Sequence, residues 1–370
     1  MIYLDNAATS FHKPGSVYQA VHSAMLTAAS PGRGGHALSL RAADLVYQCR
    51  EEAAALFHMS DLTRVVFTSN ASHALNIAIR TLARPGMRVL ISGYEHNAVT
   101  RPLRAIGTEA RVFGKRLFDP ESLLEEFRKE LDGVELVVCT HVSNVFGYVL
   151  PIAEIAQLCR ERNIPLVIDA SQSAGILDLD MDRLGAQFIA MPGHKSLFGP
   201  QGTGLLLCGN SMPEPLIWGG TGSDSREPLM PSYLPERLEA GTMNVPGIAG
   251  LLAGLRYVRS LGTDRIMNYE RDILSDLRGL LEEMPRLRLF VGPPDLQSGI
   301  LSFTVDGMDS ETACSLLSER GIAVRGGLHC APLAHQSAGT LDQGTVRVSL
   351  SPFVDRTQIQ AFAKIMKEIF

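Results

Sequence analysis

No window of about 18 uninterrupted apolar residues occurs along the chain, so the sequence offers no membrane-spanning helix. The start, Met1-Ile2-Tyr3-Leu4-Asp5-Asn6, lacks a basic stretch followed by an apolar one, and no secretory leader is expected there. Cysteine is sparse. The six, at 49, 139, 159, 208, 314 and 330, form neither a Cys-x-x-Cys pair nor a disulfide-like spacing, which leaves most of them as small, reduced core residues. Long runs of one charge are missing too: 34 Lys and Arg stand against 39 Asp and Glu, net −5, and no nucleic-acid footprint is visible. Together these absences lead us to expect a cytoplasmic protein with neither a membrane nor a nucleic acid as partner.

What is present is enough for a substantial core: 370 residues, 45% of them hydrophobic, on a chain of the length that divides into two domains. From about residue 64, short β-rich runs alternate with amphipathic stretches. Strands are predicted at 64–68, 88–91, 110–113, 135–140 and 165–168, and helices at 72–83, from near 97, at 120–131 and at 152–162. This rhythm predicts an α/β fold with helices covering a mainly parallel mixed sheet, and sites at the carboxyl ends of its strands. After Cys208 a Gly/Pro-rich stretch runs to Gly247, followed by helices at 248–260 and 264–283 and a strand, helix, strand, helix series to 369. We expect a large domain over 12–250 and a smaller C-terminal α/β domain over 251–370, with residues 1–11 packing near the latter.

Asp169 closes the apolar run Pro165-Leu166-Val167-Ile168, and Lys195 follows Phe188-Ile189-Ala190-Met191 through the turn Pro192-Gly193-His194. A buried strand ending in an acid and another ending in a lysine suit pyridoxal phosphate. The amine forms a Schiff base with the cofactor aldehyde, and the carboxylate keeps the pyridine nitrogen protonated so that the ring withdraws electrons. Alone, the pair reads as well as a cap and a turn residue.

Other strand ends offer companions. Ser69-Asn70-Ala71-Ser72-His73 opens a helix whose free N–H groups and Ser72 hydroxyl make a phosphate cradle, or an ordinary N-cap. His96 can stack on a planar ring or sit at the surface, and Asn144 can serve a carboxylate or a turn. Gln172, three residues past Asp169, reaches toward the same place. Near the C-terminus, Cys330 lies in the Gly-rich stretch from Arg325 to His335, where Arg325 and His329 can favour a thiolate. A zinc set of His329, Cys330 and His335 lacks a fourth ligand, and no metal is expected. Arg347, inside the apolar strand Val346-Arg347-Val348, needs an anion: a substrate carboxylate or a structural ion pair.

In this order, these residues resemble the class V aminotransferase family of fold-type I pyridoxal phosphate enzymes, and within it the cysteine desulfurases. The resemblance runs from Tyr3-Leu4-Asp5-Asn6-Ala7-Ala8-Thr9 through Arg33-Gly34-Gly35-His36, Val167 to Gln172, Gly193-His194-Lys195 and Glu239-Ala240-Gly241-Thr242 to Arg347. It implies that Lys195 carries the cofactor, Asp169 pairs with the pyridine nitrogen, His96 stacks on the ring and Gln172 binds the ring hydroxyl. It further implies that Asn70, Ala71, Ser72 and His194 hold the phosphate, and that Thr242 reaches the phosphate of the neighbouring subunit of a homodimer. Asn144, Arg347, His36 and Arg325 fall to the substrate, L-cysteine or a related small amino acid. Cys330 matches the nucleophile that takes sulfur as a persulfide for a protein acceptor, leaving L-alanine. Selenocysteine lyase, cysteine sulfinate desulfinase, another C–S lyase or transaminase, and a scaffold without turnover are the rival readings. Two departures stand out. Pro192 replaces a Ser or Thr common in desulfurases, and Ser-Asn-Ala-Ser-His at 69–73 replaces an Arg-Gly-Thr-Thr-Glu type of loop.

Overall fold

The computed structural model describes residues 1–32 and 34–370; Arg33, quoted above within a motif, lies outside the described residues. The chain opens with β1 (Ile2–Tyr3), α1 (Gly15–Thr27) and α2 (Ala37–Leu56). The predicted alternation follows as β2 (Val65–Thr68), α3 (Ala71–Leu82), β3 (Arg88–Ser92), α4 (Asn97–Ile106), β4 (Glu109–Phe113), α5 (Pro120–Glu130) and β5 (Leu136–Thr140). It continues through α6 (Ile152–Glu161), β6 (Leu166–Asp169), α7 (Met181–Leu184), β7 (Phe188–Pro192) and β8 (Gly204–Cys208). Beyond the Gly/Pro-rich stretch come α8 (Val245–Leu261), α9 (Thr263–Glu282), β9 (Leu287–Phe290), β10 (Ile300–Val305), α10 (Ser310–Glu319), β11 (Ile322–Ala323), α11 (Pro332–Ala338), β12 (Val346–Ser349) and α12 (Arg356–Ile369).

The main sheet has the order β2-β8-β7-β6-β5-β3-β4. β4, β3, β5, β6 and β7 run parallel, whereas β8 is antiparallel to both β7 and β2, so the sheet is mixed but mostly parallel. Its central strands are apolar because both faces are covered, whereas the edge strand β4 exposes Glu109, Ala110 and Arg111, and the pleat sorts the apolar residues. Leu90, Val137, Ile168 and Ile189 face the core shared with α2, α5, α6 and α8, while Val89, Val138, Val167 and Phe188 face the one shared with α3 and α4. Caps set the helix starts: Asn70 accepts from His73 N, Asp119 from Ser122 N and Asn244 from Gly247 N.

The second part is built on the antiparallel sheet β12-β10-β9, whose Leu301, Phe303, Val346 and Val348 form a core with Ile273, Leu277, Leu317, Ile359 and Phe362. β1 pairs in parallel with β11, and Leu4 enters this same core. The expected division at 250/251 falls inside α8. Because Ile248, Leu251 and Leu255 of α8 belong to the core of the main sheet, and α9 to that of the second, we propose that the two parts divide at Gly262. Cys49, Cys139, Cys159 and Cys208 are buried; Cys330 alone among the described cysteines is exposed.

Candidate active site

A cavity of about 210 Å³ opens at the carboxyl ends of β2, β3, β5, β6 and β7, and the loop carrying Cys330 closes one side of it. Lys195 stands on its wall, half-buried, and burial pulls its amine down to about 8 against the opposing pull of Asp169. Asp169, 2% exposed at the end of β6, accepts the N–H of Ser171 on Oδ1 at 2.9 Å. Gln172 is beside it, fixed by donating Nε2–H to the carbonyl of Ala7 at 3.0 Å.

His96 caps α4, its Nδ1 accepting from Ala98 N at 3.0 Å, so the ring presents a neutral Nε2–H edge; burial lowers its pKa in keeping with that state. At the opposite wall α3 begins. With Asn70 Oδ1 committed to His73 N at 2.9 Å, the N–H groups of Ala71 and Ser72 remain at the positive end of the helix dipole, facing the cavity. His194 also lines the cavity, with Nδ1 at 3.1 Å from Thr9 Oγ1, and burial, helped by Lys195 and Lys13, lowers its pKa to about 4. Pro192 closes β7 at the same wall and brings no donor.

Arg347, on β12 and 2% exposed, reaches across from the second part. Nη1 donates to the carbonyl of Asn144 at 2.8 Å and Nη2 pairs with Asp5 Oδ1 at 2.8 Å. The structural ion pair weighed for this arginine is therefore present, and the guanidinium still faces the cavity. Asn144 in turn donates Nδ2–H to the carbonyl of His329 at 2.8 Å, and Asn97 N–H to that of Cys330 at 2.7 Å. The Cys330 loop is thus tied to α4 and to the loop after β5. Both His329 (φ 50°) and Cys330 (φ 56°) adopt the left-handed region, a strain of about 1–3 kcal/mol each that such anchoring sustains. Burial holds His329 well below the usual imidazole range, so it lines the cavity next to Cys330 in the chain as a neutral ring, without the positive charge expected of it. For the zinc alternative, each histidine commits one nitrogen, His329 Nε2 at 3.1 Å from Thr345 O and His335 Nδ1 at 2.8 Å from Thr340 Oγ1, and leaves the other unpartnered, but among the described residues no three His, Cys, Asp or Glu side chains gather to hold a metal ion.

Of the residues predicted from the sequence, two lie outside this cavity in their own chain. His36 is exposed and caps α2 through Nδ1, and Thr242 lines a separate cavity of about 570 Å³ with Arg50 and Glu239. Sequence reasoning assigned nothing to Asp5, Thr9 or Glu95. The motif at 3–9 held the first two in view, but their partners, Arg347 and His194, are remote in sequence. Glu95 is fully buried behind His96, its Oε1 accepting from Ser92 Oγ at 2.6 Å and Thr140 N at 2.8 Å.

A mixed, mostly parallel sheet with a lysine and an acid at adjacent strand ends defines a known class: the chain belongs to the aminotransferase class-V family of enzymes, whose profile matches residues 2–362. That family generally depends on pyridoxal phosphate. Among its relatives, a probable cysteine desulfurase of Methanothermobacter thermautotrophicus is 34% identical over 92% of this chain and 88% of its own, and one of Pyrococcus abyssi is 31% identical over 100% and 94%. The solved apo structure of a cysteine desulfurase from Thermococcus onnurineus superposes with a TM-score of 0.90 at 29% identity, covering 100% of this chain and 94% of that one. Among the described residues no helix is long and apolar enough to cross a membrane.

Proposed function

We propose that this enzyme is a pyridoxal phosphate-dependent cysteine desulfurase that converts L-cysteine to L-alanine and carries the sulfur on Cys330 as a persulfide. The observation that carries the reading is the exposed Cys330, anchored at the mouth of a cavity that also holds Lys195, Asp169 and Arg347. The wall fits the cofactor. It has an amine, a strand-end carboxylate and a helix start with free N–H groups, and three of its buried polar atoms, Asn144 Oδ1, His329 Nδ1 and Arg347 Nε, lack partners among the described residues. Lys195 would hold the cofactor covalently, Asp169 the pyridine nitrogen, His96 the ring face and Gln172 the ring hydroxyl, with Ala71, Ser72 and His194 on the phosphate. When bound, the cofactor supplies a ring that accepts the electron pair released at the substrate α-carbon.

The protein side of the reaction follows. Arg347 and Asn144 orient the substrate carboxylate. The amine of Lys195, drawn down toward neutrality by burial, takes the α-proton in its unprotonated form and returns one later. Cys330 attacks as thiolate: an S–S bond forms, the C–S bond breaks, its electron pair stays with carbon, and a proton completes alanine. His194, neutral at pKa about 4, would donate an N–H to the phosphate as a dipole and so compensate for Pro192. Exposure of Cys330 supports delivery of the sulfur to a protein acceptor.

We further propose a homodimer with shared sites. Its support is the exposed apolar side chains of Met25 and Leu26 on α1, Leu38 and Leu40 on α2, and Ile217 and Trp218, with His36 and Thr242 on the same outer surfaces. Alanine release from L-cysteine, L-selenocysteine and cysteine sulfinate, measured in parallel, tests the activity. L-cysteine is expected to yield alanine in the wild type and none in Cys330→Ala, with the yellow cofactor retained. Release from selenocysteine or sulfinate alone transfers the assignment to those substrates, and release from none of the three rejects it.

A further inference from the structure

Arg347 is not a free cation awaiting a ligand. Its Nη2 already holds a carboxylate, Asp5 Oδ1 at 2.8 Å, its Nη1 holds the Asn144 carbonyl at 2.8 Å, and its buried Nε has no partner among the described residues. Asp5 is equally fixed. It bridges to Ser349 on the strand that carries Arg347, and its neighbours are laced to the same residue: Ser349 N donates to Leu4 O at 2.7 Å, Asn6 Nδ2 to Ser349 O at 2.9 Å and Ala7 N to Ser349 Oγ at 2.8 Å. The Tyr3 hydroxyl donates to the Asp5 carbonyl at 3.1 Å. Ala7, two residues on, is already cavity wall.

A guanidinium that shares its charge with a resident carboxylate grips a second one less firmly, and the two like charges repel across it. The entering amino acid and the departing one carry the same α-carboxylate, so a grip of unrelieved strength would hold the product as firmly as the substrate. We propose that Asp5 is a positioning residue that fixes the Arg347 guanidinium and, as its resident counter-charge, sets how tightly the site holds the α-carboxylate of its amino acids. This rests on the reading of Arg347 as the carboxylate ligand.

The test is calorimetric titration of the cofactor-loaded enzyme with L-alanine, a probe that carries the α-carboxylate and no sulfur. Asp5→Asn keeps an oxygen acceptor for Nη2 and removes the charge. Its L-alanine dissociation constant is expected to fall roughly tenfold, with KM for L-cysteine falling in step. Asp5→Ala, which also frees the guanidinium, is expected to lose that gain. An unchanged or raised dissociation constant in folded Asp5→Asn overturns the proposal, since a merely structural ion pair would only weaken binding when broken. If Asp5→Asn does not fold, Asp5→Ser, with a hydroxyl acceptor, carries the same prediction. Absence of L-alanine binding to both wild type and variant overturns the proposal together with the carboxylate role of Arg347. Wild-type enzyme that binds L-alanine but releases none from L-cysteine rejects the desulfurase reading and leaves Asp5 still tested.

Discussion

Behind His96, the carboxyl of Glu95 is held at 0% exposure with one oxygen satisfied and the other, Oε2, without a partner among the described residues. Burial raises its pKa to about 8, with Asp169 adding to the effect and the Ser92 and Thr140 hydrogen bonds opposing it. The unfolded chain ionises this group from about 4.5, so between that pH and about 8 the folded state binds the extra proton and stability falls as pH rises. At about 1.4 kcal/mol per pH unit, the full span corresponds to ~5 kcal/mol. Glu95→Gln keeps the acceptor for Ser92 and Thr140 and has no proton to lose. We expect its urea unfolding curve to match the wild type at pH 4.5 and to lie at distinctly higher urea at pH 8; parallel pH dependence of the two proteins would show that Glu95 is ionised in the fold. Such a residue is invisible in the sequence, where Glu95 is one more acid before a histidine. Lys195, Asp169 and Cys330 were legible because each interrupts an apolar or glycine-rich run in a way core packing does not require. Asp5 was not, because its partner lies 342 residues away.

At the level of elements, the alternation from β2 to β6 was readable because β2, β3, β5 and β6 are largely apolar runs and α3, α4 and α5 are amphipathic stripes opened by a side-chain cap. The helices α1 and α2 were not. Tyr18, Met25 and Leu26 on α1 and Leu38, Leu40 and Tyr47 on α2 are exposed, so several of their largest apolar residues fall outside the face, with Val17, Val46 and Cys49, that the chain's own core uses. The start of α3 shows how one residue serves both a helix and a ligand. Asn70 Oδ1 caps His73 N, and the cap directs the N–H groups of Ala71 and Ser72 into the cavity. Asn70→Ala is expected to cost about 1 kcal/mol of stability and to weaken cofactor binding, because the first turn frays. Asn70→Asp keeps the cap and places a negative charge at the proposed phosphate, so its thermal midpoint should stay near the wild type while its cofactor dissociation constant rises. Fluorescence titration with pyridoxal phosphate and melting curves separate the two; an Asp variant that binds as well as the wild type would remove the phosphate from this helix.

On the scale of the whole molecule, the residues 3–10 cross between the two parts and touch the site repeatedly: Asp5 on Arg347, Ala7 on Gln172, Thr9 on His194 and Ser10 Oγ on the Lys195 carbonyl at 3.0 Å. One polypeptide therefore assembles most of the cavity unaided, yet Thr242 and His36 lie outside it, exposed, on a chain that also exposes Met25, Leu26, Leu38, Leu40, Ile217 and Trp218. In the proposed dimer a second copy of the chain would account for both facts, covering the apolar surface and lending Thr242 to the partner's phosphate. The expected outcome in solution is a dimer by light scattering. The sharing itself is checked by mixing two defective proteins, Lys195→Ala and Thr242→Ala, under conditions that let subunits exchange. If Thr242 acts across the interface, each hybrid has one site with both defects and one with neither, so cofactor titration reveals a single wild-type-affinity site per hybrid dimer. If it acts within its own chain, every site in the hybrid carries a defect and no such class of site is found.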